Sequence, residues 1–130
     1  MAFYGKHASL DNRCLIINGV LNSFAPAGLT EYTIPDSVTL IGGSAFERCT
    51  SLTSVTIPNS VTSIGEDAFS DCYSLTSVYC KPTTPPTGGS YMFHYNASGR
   101  KIYVPRNSVN AYKYAMFWNS YASDIVGYDF

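Results

Sequence analysis

The stretch IPDSVTLIGGSAFERCTSLTSVT, residues 34–56, is followed directly by a second stretch of similar sequence, IPNSVTSIGEDAFSDCYSLTSVY, residues 57–79. When the two stretches are aligned without gaps, 15 of the 23 positions are identical. The identical positions include the Ile-Gly and Ala-Phe pairs as well as single Val and Leu residues. Agreement of this extent indicates an internal repeat with a period of 23 residues.

Each unit contains a short apolar step that predicts a strand. Leu52 and Val55 of the first stretch form this step with Ile57, the residue that begins the second. Because side chains alternate along a strand, Val55 and Ile57 are expected to point inward. Pro58 follows immediately and has no N–H to donate, so the strand is expected to end there.

A period of roughly 20 to 29 residues with Leu, Val and Ile at fixed places is typical of leucine-rich repeats, in which each unit stacks on its neighbours. The pattern continues upstream in LTEYTI, residues 29–34, and downstream in KIYVP, residues 101–105. We therefore predict four parallel strands, at residues 31–34, 54–57, 77–80 and 101–104.

The second half of each unit is predicted to contain a short helical turn. Ala68, Phe69 and Cys72 are three or four residues apart, a spacing that places side chains on one face of such a turn. The Pro- and Gly-rich stretch 82–100 has nearly the length of a unit without its sequence. We predict an irregular unit there, with Phe93 near the place of Phe69.

The two ends of a short repeat array need caps, because an open end would expose the core. Residues 14–24 place Asn18-Gly19 between two apolar runs, a pair that favours a type I′ hairpin turn. At the other end, Ser108 is predicted to be the N-cap of a short helix, and Trp118 to help close the core.

The predicted fold is an α/β leucine-rich-repeat solenoid, a short right-handed superhelix of about four coils with parallel strands. All 130 residues are assigned to one domain. Its predicted parts are an N-terminal hairpin cap at 1–28, regular repeats at 29–80, an irregular coil with the last strand at 81–105, and an aromatic C-terminal cap at 106–130.

Composition excludes several classes of function. Eight Lys and Arg residues balance nine Asp and Glu residues, so the total charge predicts no attraction to nucleic acid or to an acidic membrane. No apolar run approaches the roughly 20 residues that span a bilayer, so we expect no membrane insertion, and the first residues lack the zones of a signal peptide.

The cysteines do not predict a metal site. Cys14, Cys49, Cys72 and Cys80 form no C-x-x-C pair and have no histidine at zinc spacing. Cys49 and Cys72 occupy the same place in successive repeats, and we expect both to be buried free thiols. No metal and no other cofactor is predicted.

At the repeats described above, the chain resembles the BspA-like leucine-rich-repeat family, Bacteroidales-type cell-surface proteins whose units have the pattern IP-x-SVT-x-IG-x-x-AF-x-x-C-x-SLTSV. The resemblance is strong over about residues 29–80. It implies a secreted or cell-surface location and a role in adhesion to host or bacterial partners, and it carries over no catalytic residue. Residues 2–9, AFYGKHAS, resemble a family segment that follows a strand, so we expect this chain to be part of a longer protein.

The strand side chains that point away from the core are expected to line one shared surface. We call this row the strand face, and it is the predicted binding surface. Tyr79 and Tyr103 are expected to be neighbours on it. An alternative explanation is that Ser and Thr are simply suited to exposed strands. The row consists of Glu31, Thr33, Ser54, Thr56, Ser77, Tyr79, Lys101 and Tyr103.

Residues 81–123 contain no acidic residue, but they contain five basic residues among several tyrosines. Basic and aromatic residues together can bind a polyanion or a carbohydrate. The alternative is an aromatic-rich cap kept in solution by a few charges. The basic residues are Lys81, Arg100, Lys101, Arg106 and Lys113.

We therefore predict a non-catalytic surface module that binds a protein or a glycan, with nucleic acid not expected as a partner. The scattered acidic residues predict no paired carboxylates, and no catalytic motif is found, so we do not expect an enzyme. Two alternatives stay open. One is a purely structural spacer within a longer surface protein, and the other is a module that binds polyanions or carbohydrates through the basic, Tyr-rich C-terminal segment.

Overall fold

The computed structural model describes residues 2, 4–9 and 11–130. Met1, Phe3 and Leu10, which belong to the predicted N-terminal cap, lie outside the described residues. The strands are β1 (Cys14–Ile17), β2 (Val20–Phe24), β3 (Glu31–Thr33), β4 (Leu40–Ile41), β5 (Ser54–Ile57), β6 (Ser63–Ile64), β7 (Ser77–Cys80), β8 (Lys101–Pro105) and β9 (Ile125–Tyr128). Helix α1 spans Val109–Tyr114, between 3₁₀ segments at Arg106–Ser108 and Trp118–Asp124.

The larger sheet has five strands in the order β3-β5-β7-β8-β9, and all neighbours in it are parallel. Its first four strands confirm the four predicted from the repeat, with bounds within one residue. The fifth strand, β9, was not predicted. Its sequence, IVGY, contains a glycine and lacks the repeat pattern, so no local signal distinguished it from the rest of the C-terminal segment.

A second sheet contains four short strands in the order β1-β2-β4-β6. Strands β1 and β2 form the predicted antiparallel hairpin. Asn18 and Gly19 at its turn have φ values of 51° and 79°, as a type I′ turn requires. The parallel pairs of β2 with β4 and of β4 with β6 then connect the hairpin to the repeats.

The helical turn predicted at Ala68, Phe69 and Cys72 is wrong. Asp67 and Asp71 both have a φ of 59°, so the segment consists of successive tight turns rather than a helix. The N–H of Phe69 donates to the carbonyl of Met92 in the next repeat, at 2.8 Å. Spacing of three and four residues is common to helices and to consecutive turns, which is why the sequence pattern did not separate them.

Close contact between repeats depends on glycine at one position of the unit. A Cβ atom on Gly65 would lie 2.5 Å from the backbone N of Gly43, and one on Gly89 would lie 2.5 Å from the backbone N of Glu66. Only a residue without Cβ allows the backbones to come this close. The Ile-Gly pair of the repeat therefore sets the distance between neighbouring units.

The core contains a continuous column of phenylalanine rings. Successive centroids lie 4.6 Å apart for Phe24 and Phe46, 4.8 Å for Phe46 and Phe69, and 5.4 Å for Phe69 and Phe93. Phe93 thus occupies the place predicted for it in the irregular repeat. Trp118 is fully buried 5.7 Å beyond Phe93, as predicted.

The C-terminal segment packs against the last repeat through buried polar contacts. Ser108 occupies the predicted N-cap position of α1, but its hydroxyl makes no cap bond and instead donates to the carbonyl of Thr83 at 2.7 Å. Trp118 Nε1 donates to the carbonyl of Pro86 at 2.7 Å, and the Tyr112 hydroxyl to that of Pro82 at 2.6 Å. The Pro-rich stretch offers these carbonyls because its residues form no strand.

Candidate functional site

The outward residues of the strand face form two rows across the larger sheet. The register aligns Glu31, Ser54, Ser77 and Lys101 in one row. It aligns Thr33, Thr56, Tyr79 and Tyr103 in the other. Glu31 and Thr33 are exposed, and the remaining six are half-buried. The structure therefore brings all eight predicted residues onto one surface, while their role in binding stays a prediction.

Tyr79 and Tyr103 stack on each other, as the sequence predicted. Their ring centroids are 4.8 Å apart and their planes differ by 14°. The stacking follows from the register, because the two residues face each other across β7 and β8. Aromatic side chains stacked on neighbouring strands stabilise a sheet and hold each other in one orientation.

Two aromatic residues that the sequence did not place at this site extend it. Tyr128, at the end of β9, meets Tyr79 and Tyr103 edge-on, at centroid distances of 5.4 Å and 5.5 Å. Phe130 follows Tyr128 at 4.8 Å and is half exposed. Because β9 itself was not predicted, the repeat pattern contained no signal for either residue.

A shallow depression of about 320 Å³ lies on the strand face beside this aromatic group. Thr33 and Thr56 form part of its lining, and Tyr79 borders it on the side facing Thr56. Its other lining residues are Lys81, Tyr128 and Phe130. The depression thus combines hydroxyl groups, ring surfaces and one cationic side chain, a set suited to reversible binding rather than to covalent chemistry.

The basic, Tyr-rich segment is less cationic than its sequence indicated. Arg100 is buried, and its guanidinium pairs with Asp124 at 2.9 Å while also bonding the carbonyl of Phe93. Arg106 pairs with Asp129 at 2.8 Å. Both carboxylates lie just beyond residue 123, where the acid-free stretch ends. The charge count for residues 81–123 therefore did not include them. Lys81, Lys101 and Lys113 form no ion pair with any described residue.

All four cysteines are buried free thiols, which confirms the expectation for Cys49 and Cys72. Burial raises the pKa of Cys14 to about 11 and that of Cys80 to about 12. Each of these sulfur atoms lies against a buried tyrosine hydroxyl, Cys14 at 3.1 Å from Tyr32 and Cys80 at 3.4 Å from Tyr112. Neutral, enclosed thiols of this kind are poor nucleophiles and poor metal ligands.

Among the described residues, no group of three or more His, Cys, Asp or Glu side chains is arranged to hold a metal ion. In the same part of the chain, no helix is long and apolar enough to cross a membrane.

Parallel strands that recur every 23 or 24 residues beside a buried apolar column define a leucine-rich-repeat protein. Residues 21–128 match the family model described as BspA type leucine-rich repeat region, in six copies. The chain therefore belongs to the BspA-type leucine-rich-repeat family, as its repeats had indicated. The matched range starts in β2 and ends in β9, so it includes the strand that the sequence pattern missed. A comparison with curated proteins finds no match.

Proposed function

We propose that this chain is a non-catalytic binding module whose strand face recognises a protein or a glycan. Repeat proteins of this architecture generally bind partners through the extended surface that their stacked strands create. The single observation that carries the proposal is the half-exposed stack of Tyr79 and Tyr103 on that surface. Tyrosines are frequent anchors in binding sites because they provide a large contact area and lose little conformational entropy.

We propose for the whole chain a right-handed solenoid of about four coils. The right-handed preference of parallel crossover connections supports the handedness. Residues 1–28 and 106–130 would be its caps, and 29–80 and 81–105 its regular and irregular coils. The hairpin β1-β2 at one end and the buried Trp118 near the other support this division.

The proposed location is the exterior of a bacterial cell, either on the cell surface or after secretion, with a role in adhesion. Support comes from membership of the BspA-type family, whose members are generally associated with bacterial surfaces. A location outside the cell is compatible with buried thiols, since Cys49 and Cys72 are enclosed in the core and not open to solvent oxidants.

One observation favours the alternative of a structural spacer. Tyr128 packs edge-on against both stacked tyrosines, so the C-terminal segment already covers part of the surface that a ligand would contact. In a spacer, these contacts would only hold β9 to the sheet. The two functions differ in whether the strand face also has affinity for an outside partner.

The experiment that separates them is an array screen of the purified chain against host proteins and glycans. The variant Tyr79→Ser with Tyr103→Ser removes the stack and leaves the core untouched. Tyr114→Ser is the matched control, since Tyr114 is 84% exposed on α1 and away from the strand face. A partner retained by the control and lost by the double variant would support the binding module. No partner at high concentration, or partners unaffected by the double variant, would overturn it.

A further inference from the structure

Resting on the proposed function, we infer that the depression beside Tyr79 is a subsite for one acidic pyranose residue of a glycan. Three features of the depression support this assignment: a ring face on Tyr79, the hydroxyl groups of two lining threonines, and a lining lysine that forms no ion pair with any described residue.

The first feature is the space beside the Tyr79 ring at the end of the tyrosine stack, which we call the open place. One face of the Tyr79 ring is covered by Tyr103 at 4.8 Å with nearly parallel planes. The opposite face is directed along the row toward Thr56, the register partner of Tyr79 on β5. A threonine does not fill the space that a further ring would take. A ring bound above Thr56 with one face against Tyr79 would therefore continue the stack.

The second feature indicates what kind of ring fits. Thr33, Thr56, Tyr128 and Phe130 all line the depression that contains the open place. A phenyl ring would leave the threonine hydroxyls without partners in the complex, which costs free energy. A pyranose has an apolar C–H face for the tyrosine and hydroxyl groups on its rim for the threonines. The chemistry thus favours a sugar over an aromatic side chain.

The third feature is charge. Lys81 lines the depression, is exposed, and forms no ion pair with any described residue. Among the other charged residues nearby, Arg106 and Asp129 neutralise each other. Glu31 lies two residues before Thr33, whereas Lys81 lies two residues after Tyr79, the residue in the same row as Thr33, so the two charges are at opposite ends of the depression. A carboxylate on the sugar next to Lys81 would be the complement of its charge.

The size of the depression is consistent with a single sugar residue in contact with a longer chain. Its volume of about 320 Å³ lies at the lower end of the roughly 300 to 1,000 Å³ usual for small-ligand sites. A second depression of about 670 Å³ shares Lys81, Tyr128 and Phe130 with the first. A neighbouring sugar residue could continue across Lys81 into it.

The test titrates the full chain with methyl β-glucuronide and with methyl β-glucoside, which differ only in the carboxylate, and follows the tyrosine rings and threonine methyl groups by NMR. We expect the glucuronide to shift the signals of Tyr79 and Thr56 and to bind about fivefold more tightly than the glucoside, as for an exposed ion pair. A methyl sialoside, whose carboxylate comes from a different acidic sugar, is titrated in parallel. Whichever of the glucuronide and the sialoside binds more tightly identifies the kind of acidic sugar that the subsite takes.

Three variants make the assignment specific. Lys81→Gln should abolish the preference for the carboxylate while leaving binding of the glucoside unchanged. Thr56→Tyr should fill the open place with a ring of the protein itself, so that binding is lost while the Tm does not fall. Ser54→Tyr is the matched control, because it adds a tyrosine on the same strand in the other row, and it should bind as the wild type does.

Equal binding of glucuronide and glucoside, or binding that survives Thr56→Tyr, would overturn the subsite. So would a lack of response to all three sugars. If a protein partner found in the array screen is lost in the Tyr79 and Tyr103 double variant while the sugars have no effect, the proposed function stands and this inference fails.

Discussion

Two columns of aromatic rings run along the repeats, one inside the core and one on the strand face. The inner column runs from the hairpin cap through three repeats as Phe24, Phe46, Phe69 and Phe93 without a gap. The outer column consists of Tyr79 and Tyr103, which lie at the same 4.8 Å spacing as Phe46 and Phe69. The spacing is the same because both columns follow the stacking of successive units, which lie one strand-to-strand distance apart.

The two columns differ in how much stability the loss of one ring would cost. In the core, a repeat without its phenylalanine would leave a cavity, so every unit supplies the ring. On the strand face, solvent fills the place of a missing ring at little cost, as above Thr56. The inner column is therefore explained by stability alone, whereas the outer one is free to serve recognition.

The largest expected effect is on the inner column. Phe69→Ala removes a fully buried ring between two stacked neighbours, and we expect a loss of about 3 to 5 kcal/mol in the free energy of unfolding. Urea denaturation measures it. The control Tyr73→Ala, at a side chain that is 60% exposed, should change the stability by no more than about 0.5 kcal/mol. Similar losses in both variants would contradict the assignment of the column to the core.

The next effect concerns the spacing that both columns share. Gly65→Ala places a Cβ atom 2.5 Å from the backbone N of Gly43, so the repeats must separate, at a cost of about 1 to 3 kcal/mol. Gly43→Ala is the control, since its Cβ would meet the nearest atom, the carbonyl oxygen of Glu66, at 3.3 Å. Thermal unfolding compares the two. A Tm in Gly65→Ala no lower than in Gly43→Ala would show that this contact does not set the spacing.

A smaller effect is expected for the outer column. Single and double replacements of Tyr79 and Tyr103 by Ser form a double-mutant cycle, which isolates the energy of the stacked pair. We expect a coupling of about 0.5 to 1.5 kcal/mol, as for other aromatic pairs. Chemical denaturation of the four proteins provides the values. If the losses of unfolding free energy in the two single variants add up to the loss in the double variant, the stack does not contribute to stability. Stability would then explain only the inner column.

The last effect is confined to alkaline pH and is a loss of stability from the buried thiol of Cys14, at the first end of the inner column. Burial raises the pKa of Cys14 to about 11, above its ordinary value of 9.0. The stability from the neutral thiol is therefore complete below pH 9 and is lost as the pH rises toward 11. Unfolding measured between pH 8 and pH 11 should show a steeper decline in the wild type than in Cys14→Ala. Parallel declines of stability in the two proteins would indicate that the fold does not raise the pKa of the Cys14 thiol.

Much of the sheet could be predicted from the sequence, because its signals are local. The 23-residue period aligned β3, β5 and β7, and the likeness of KIYVP to the repeat located β8. The alternation of side chains identified both the buried Val55 and the outward Tyr79. The Asn18-Gly19 turn was predictable for the same reason, since turn geometry depends on two adjacent residues. The eight residues of the strand face followed from register alone.

What the sequence by itself determined, then, is the repeat, the direction of its side chains and the stacking of two tyrosines. Only the tertiary structure decided that β9 joins the sheet, that Asp124 neutralises Arg100, and that Tyr128 closes on the stack. These features join residues that are distant along the chain and follow no period, so no local pattern indicates them. Their geometry is set by packing, which depends on the whole chain at once.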